Sequence, residues 1–79
     1  MARIRGFERS THQGGIHPTE VDCEYAVVNG HGERLLSLST FGSDQRASHR
    51  KVSQTLQLDR KTARDLLGII EEAFPGLRP

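Results

Sequence analysis

The clearest pattern of hydrophobic and polar positions lies between residues 61 and 74, where apolar side chains recur at intervals of three and four residues. These positions are Ala63, Leu66, Leu67, Ile70, Ala73 and Phe74. Asp59 stands where a helix N-cap is expected, because its carboxylate can accept from the free amides of a first turn. Pro75 and Gly76 follow the pattern, and both favour the end of a helix. The pattern predicts an amphipathic helix from Lys61 to Phe74.

Upstream, hydrophobic and polar residues alternate with a period of two, which is typical of β-strands. The alternating segments are ARIRGFE near the start, VDCEYAVV at 21–28, RLLSLSTF at 34–41 and SQTLQLD at 53–59. Asn29-Gly30 lies between the second and third segments and is a strong hairpin-turn signal, because both residues tolerate positive φ. The predicted fold is α+β: a curved, four-stranded antiparallel sheet followed by one C-terminal amphipathic helix, in the order β-β-β-β-α.

The composition indicates one small domain, residues 1–79, with a thin core. Hydrophobic residues make up 34% of the chain, and its aromatic residues are three Phe and one Tyr. A domain of this kind usually needs a staple, a metal or a partner to be stable. The single cysteine, Cys23, excludes an internal disulfide and fits a reducing cytosol. Because no apolar run has signal-peptide or membrane-spanning length, we expect a soluble cytoplasmic protein that does not contact membranes. We also expect a homodimer, because self-association is the simplest way to enlarge the thin core.

Charge is distributed unevenly along the chain, although the formal net charge is +1. Residues 18–33 carry four acidic side chains and no Lys or Arg, whereas residues 34–64 carry seven basic and two acidic ones. If the fold keeps these segments apart, they form an acidic face and a basic face. If the segments interleave in space, their charges cancel. Five basic side chains fall in SDQRASHRKVSQTLQLDRK at 43–61. This stretch is either a phosphate-binding surface or a solvated loop leading into a strand, and charge alone leaves both open.

Two longer stretches together resemble a known family. CEYAVVNGHGERLLSLSTFGSD is similar to a central hairpin that ends in a polar loop, and HRKVSQTLQLDRKTARDLL is similar to a basic loop, a short strand and a capped helix. The family is the C-terminal domain of the transcriptional coactivator positive cofactor four, and the resemblance extends from about residue 24 to residue 70. The resemblance implies a dimer that presents a concave sheet face to single-stranded DNA.

We therefore predict sequence-tolerant binding of single-stranded nucleic acid, in a transcriptional or DNA-maintenance accessory role. Such binding needs cations along the nucleic-acid backbone and flat side chains for the bases. The predicted phosphate contacts are Arg46, Arg50 and Lys51, extended by Arg3 and Arg5, and the predicted stacking platforms are Tyr25 and Phe41. The polar side chains predicted to line the sheet between them are Ser37, Ser39, Ser53, Thr55 and Gln57.

The alternative function is a small dimeric interaction or accessory module that binds no nucleic acid and docks a protein through its helix or a sheet edge. The sequence predicts no metal site and no cofactor site, and we do not expect the protein to be an enzyme. His12, His17, Cys23 and His31 are separated by 4, 5 and 7 residues, so no close pair preorganises a metal ion. Gly14-Gly15 and the glycines around His31 lack the following helix that a phosphate-binding loop requires.

Overall fold

The computed structural model of the chain describes residues 1–42 and 51–77. Its elements are β1 (Ala2–Arg3), β2 (Cys23–Gly30), β3 (Glu33–Phe41), β4 (Val52–Leu58) and α1 (Arg60–Ala73). Within these residues, the strands form a four-stranded sheet in the order β1-β4-β3-β2, and α1 contacts β3 and β4. The α+β class, the order of the elements and the C-terminal helix are therefore confirmed.

The sheet is mixed, so the prediction of a purely antiparallel sheet is wrong. β3 runs antiparallel to both β2 and β4, but β1 runs parallel to β4. Ala2 and Arg3 pair with Leu56 and Gln57, and the Ile4 amide donates to the Gln57 carbonyl at 2.9 Å. β1 lies at the opposite edge of the sheet from β2, its neighbour in sequence. No hairpin turn therefore fixes its direction, and a short alternating pattern carries no information about direction.

β2 and β3 form the predicted hairpin, but its turn comes two residues later than predicted. Asn29 and Gly30 belong to the ladder, where Gly30 pairs with Glu33. The two loop residues are His31 and Gly32, with φ angles of 50° and 74°. Positive φ at both positions is what a type I′ turn requires, and this turn matches the twist of the flanking strands.

Cross-strand pairing explains why the turn lies at His31. The observed register sets Val27 opposite Leu36 and Tyr25 opposite Leu38, so apolar side chains meet on one face. A two-residue turn at the earlier position would instead set Tyr25 opposite Arg34. Apolar cross-strand pairs stabilise a sheet by roughly 0.2–1 kcal/mol each, which outweighs the local preference of the turn residues.

α1 begins and ends within one residue of the predicted bounds, 61–74. Asp59 is its N-cap, as predicted: the carboxylate accepts from the Thr62 amide at 2.9 Å, and the Thr62 hydroxyl accepts from the Asp59 amide at 2.9 Å. This reciprocal capping box satisfies amides that the first turn leaves free. Gly76, with a φ of 79°, turns the chain away after the helix.

The two faces of the sheet differ in polarity, because paired residues on neighbouring strands project to the same side. The face packed against α1, here called the apolar face, carries Tyr25, Val27, Leu36, Leu38, Leu56 and Leu58. The opposite face, here called the polar face, carries Ser37, Ser39, Thr55 and Gln57 at its centre. Burial is sparse: among the described residues, the buried ones are Leu58, Thr62 and Phe41.

Candidate nucleic-acid interface

The polar face is built by the alternation of β3 and β4. Ser37 lies opposite Gln57 and Ser39 lies opposite Thr55, so four hydrogen-bonding side chains form one continuous patch. The hydroxyl groups of Ser39 and Thr55 hydrogen-bond to each other at 3.0 Å, and all four side chains are half-buried by their neighbours. Because α1 packs against the other side of the sheet, the helix leaves this patch uncovered. The structure thus brings together four of the five side chains predicted to line a polar surface.

The fifth, Ser53, lies where the ladder between β3 and β4 is irregular. Thr40 pairs with Gln54 and Phe41 pairs with Val52, so Ser53 is an extra residue on β4. An insertion of this kind is a β-bulge, which bends its strand and increases the local twist. The bulge lies at the end of the polar face that is nearer to Lys51.

The predicted phosphate contacts lie at the margins of the polar face or outside the described residues. Lys51 is exposed directly before β4, and its carbonyl accepts from the Gly42 amide at 3.1 Å. Arg5 is exposed just after β1, near the other end of β4. These two cations therefore flank the patch, about 25 Å apart along the strand direction at the rise of a β-strand. Arg46 and Arg50 lie outside the described residues.

Arg3 already has two carboxylate partners. Its guanidinium donates to both Glu33 oxygens, at 2.6 and 3.1 Å, and to Asp59 Oδ2 at 3.4 Å. The hydrogen bonds and charge of Arg3 hold the pKa of Glu33 below its ordinary value, and the Glu33 carboxylate raises the pKa of Arg3. The pKa of Asp59 is lowered mainly by its hydrogen bonds from Thr62, and Arg3 adds to this shift. Arg3 thus links β1 to the start of β3 and to the N-cap of α1, and a phosphate would compete with two carboxylates for it.

The two predicted stacking platforms lie on opposite faces of the sheet. Tyr25 pairs with Leu38 on the apolar face and is 77% exposed. Phe41 projects to the polar side and is 8% exposed, so its ring is not presented to solvent. The structure therefore does not bring these two rings together into one stacking surface.

Acidic side chains border the polar face on the β2 side, which the sequence analysis did not recognise. Glu24 lies opposite Ser39, and Glu33 lies at the end of the same face beside Arg3. The acidic segment 18–33 and the basic residues thus meet across the sheet at the Arg3–Glu33 pair. The position of Glu24 could have been predicted from the sequence, because alternation along β2 places Glu24 on the opposite side of the strand from Tyr25 and Val27.

On the apolar face, a groove of about 530 Å³ lies between α1 and the sheet. The apolar residues that line it include Val27, Leu36, Leu58, Ala63, Leu67 and Ile70. Arg34, Arg60 and Arg64 border it. The helical and alternating patterns predict these residues on the apolar sides of the helix and strands, but how far they are exposed depends on where α1 lies over the sheet.

Other kinds of site are not seen in the part of the chain that the structure describes. No three His, Cys, Asp or Glu side chains in residues 1–42 and 51–77 approach closely enough to hold a metal ion. Over the same residues, no helix has the length and hydropathy needed to cross a bilayer.

Comparisons of the chain with models of known protein families, with curated proteins and with solved structures found no match.

Proposed function

We propose that the protein binds single-stranded nucleic acid across the polar face of its sheet, with little preference for base sequence. The observation that carries this proposal is the continuous patch of Ser37, Ser39, Thr55 and Gln57, which the helix leaves uncovered. Hydroxyl and amide groups can donate to phosphate oxygens and to base edges without selecting one base. The protein would act as a non-enzymatic accessory factor in transcription or DNA maintenance, in the reducing cytosol.

The path of the nucleic acid follows β4 in this proposal. Lys51 lies at one end of the strand and Arg5 at the other, and the basic residues Arg46 and Arg50 precede Lys51 in sequence. Phosphates would be neutralised at these positions, away from the acidic border formed by Glu24 and Glu33. The bulge at Ser53 supports a concave polar face, because a bulge bends the strand that contains it. The resemblance to the positive cofactor four domain agrees with the choice of this face.

Phosphate and hydroxyl contacts contribute more than base stacking in this proposal. A nucleic acid on the polar face would reach Tyr25 only by passing around β2, the outermost strand among the described residues, and the Phe41 ring is buried. The charge of Arg3 is neutralised by Glu33, so a phosphate contact at Arg3 would have to displace this carboxylate. Binding that depends on cations releases condensed counterions, so the affinity must fall as salt concentration rises.

The first test is fluorescence anisotropy of labelled single-stranded DNA, titrated with the protein at several salt concentrations. The logarithm of the affinity should fall linearly with the logarithm of the salt concentration. Replacing Arg46, Arg50 and Lys51 together with Ala should reduce this slope by about two, since each phosphate contact contributes about 0.7 for single strands. Absence of binding at low salt, or an affinity independent of salt, would show that the proposed function is wrong.

A matched pair of variants tests which face is used. Gln57→Glu adds one negative charge to the polar face, and Gln54→Glu adds the same charge to the same strand on the opposite face. A carboxylate about 5 Å from a phosphate costs about 0.8 kcal/mol in water, or about fourfold in affinity. Gln57→Glu should therefore weaken binding at least fourfold, while Gln54→Glu should change it less than about twofold. Equal effects of the two variants would contradict binding across the polar face.

The alternative function, a protein-interaction module without nucleic-acid binding, is favoured by exposed apolar side chains on the other face, among them Tyr25 and Val27. The triple substitution in the basic segment separates the two functions. Loss of nucleic-acid binding with self-association intact supports the proposed function. The alternative is supported if the wild-type protein binds no nucleic acid and the triple substitution does not change its affinity for a protein partner.

A further inference from the structure

We propose that the groove between α1 and the sheet binds a free fatty-acid anion, with the aliphatic chain along α1 and the carboxylate held by arginine side chains at one end. The groove has a volume of about 530 Å³, within the range of about 300–1,000 Å³ that small-molecule sites occupy. It lies on the side of the sheet opposite to the polar face. The inference therefore goes beyond nucleic-acid binding and does not rest on it.

One row of α1 supplies both a charged part and an apolar part of this groove. Arg60 and Arg64 come first along the helix, and Leu67 and Ile70 follow at intervals of three residues. Residues three and four apart lie on the same side of a helix. The row is about 15 Å long from Arg60 to Ile70 at the rise of an α-helix. The groove is thus polarised along its length, with its cations at the start of α1.

A third arginine, from β3, lies at the same end of the groove. Leu36 pairs with Leu58 across the sheet, and both line the groove. Arg34 lies two residues from Leu36 on the side of the hairpin turn, and Arg60 lies two residues beyond Leu58. Both arginines therefore extend past the same cross-strand pair, and Arg64 lies one turn further along the helix. Guanidinium groups bind carboxylates through paired, charge-assisted hydrogen bonds.

These three arginines have no anionic partner in the part of the chain that the structure describes. Asp59 also lines the groove, but its carboxylate already accepts from the Thr62 amide at 2.9 Å and from Arg3 at 3.4 Å. The cations at this end are therefore not neutralised by the protein. A ligand carboxylate would supply the partner that the described residues do not.

The rest of the groove is aliphatic. Its apolar lining includes Val27, Leu58, Ala63, Leu67 and Ile70, and no aromatic side chain is present among the described residues that line it. A nucleobase or another flat ring would therefore find no stacking partner here. A methylene chain would cover Leu67, which is 45% exposed, and would gain from removing this surface from water.

The same aliphatic lining favours a fatty acid over an extended peptide. A peptide backbone carries one N–H and one C=O group per residue, and these groups need hydrogen-bond partners when they are buried. The aliphatic part of the groove offers none. A fatty-acid anion has a single polar end, which matches a groove whose cations are gathered at one end.

An amide NMR titration of the full chain with sodium decanoate, kept below its micelle concentration, tests the site. Saturable shift changes should appear in α1 at Ala63 and Leu67 and should be small at Ser39 and Thr55 on the polar face. Octanoate, which is two methylenes shorter, should bind at least about fourfold more weakly, since each fully buried methylene contributes about fourfold. Decyltrimethylammonium, with the same chain length and the opposite charge, should bind at least about tenfold more weakly than decanoate.

Two matched pairs of variants separate the charged part of the site from the apolar part. Arg60→Gln and Arg64→Gln together should weaken decanoate binding at least about fivefold, which is the upper value for one exposed ion pair. Lys61→Gln is the charge control, because Lys61 pairs with Asp65 and does not line the groove. Leu67→Gln should weaken binding by a similar factor. Its control is Ile69→Gln, which changes a residue of similar exposure, 40%, that does not line the groove.

Both controls should change the affinity less than about twofold, and far-UV circular dichroism should show that all variants keep the wild-type helix content. The proposal is overturned if decanoate causes no saturable shifts, as expected where a second copy or a protein segment fills the groove. It is also overturned if the variants and their controls have equal effects. Binding to phosphatidylglycerol vesicles without binding to free decanoate would assign the surface to a membrane instead. Nucleic acid is absent from these titrations, so failure of the proposed function leaves their outcomes unchanged.

Discussion

Replacing Thr62 with valine should lower the free energy of unfolding by about 2 kcal/mol. The Thr62 side chain is 1% exposed, and its hydroxyl accepts from the Asp59 amide at 2.9 Å and donates to Asp59 Oδ1 at 2.9 Å. Valine keeps the size and the branched shape of threonine, so the packing around the side chain is preserved and both hydrogen bonds are removed. Each hydrogen bond contributes about 0.5–1.5 kcal/mol net, and one of these two involves a charged acceptor.

Thermal unfolding followed by circular dichroism measures this effect, with all variants compared at one fixed protein concentration because any self-association would make the Tm depend on concentration. A loss of about 2 kcal/mol corresponds to a Tm about 8–16 °C lower for a domain of this size. Thr62→Ser is the control, because it keeps the hydroxyl and loses one buried methyl group worth about 0.8 kcal/mol. If Thr62→Val unfolds at the wild-type temperature, or above the serine variant, the capping box does not stabilise the fold as argued here.

Two further predictions concern the Arg3 ion pairs and the hairpin turn. The pKa values of Glu33 and Asp59 are lowered in the fold, so their stabilising contribution is complete above their unfolded pKa values and is lost as the pH falls through the lowered ones. The difference in urea midpoint between wild type and Arg3→Gln should therefore shrink between neutral pH and about pH 3, and a constant difference would exclude this linkage. His31 has a φ of 50°, so His31→Gly should stabilise the protein by up to about 1 kcal/mol and His31→Val should destabilise it. Chemical denaturation of both turn variants checks this, and a more stable valine variant would contradict it.

The helix could be predicted closely because its signals are local. The N-cap, the apolar spacing and the terminating Pro75-Gly76 all lie within 18 residues, from Asp59 to Gly76. Each signal acts through contacts between residues no more than four positions apart, so no knowledge of the sheet is needed. The bounds therefore agree to within one residue at each end.

The first strand and its arginine could not be predicted in the same way. β1 pairs with a strand more than 50 residues away in sequence, and only two of its residues take part. Nothing in ARIRGFE identifies Glu33 or Asp59 as the partners of Arg3, because these carboxylates come from a hairpin and from a helix cap. The sequence analysis therefore treated Arg3 as a cation available to phosphate, and the tertiary structure supplies it with two competing anions.

The placement of the two aromatic rings on opposite faces, in contrast, could have been predicted from the hairpin alone. A two-residue loop pairs odd-numbered residues of β2 with even-numbered residues of β3, and moving the turn by two residues does not change this parity. Tyr25 and Phe41 must then project to opposite faces, even with the turn assigned to Asn29-Gly30. The same parity groups Tyr25 with Val27 and the leucines beside α1, and groups the serines with Thr55 and Gln57 on the other side. The strand pairing that separates the two rings therefore also separates a polar surface from an apolar surface within one sheet, so a ligand on the polar face and packing against the apolar face would not compete for the same side chains.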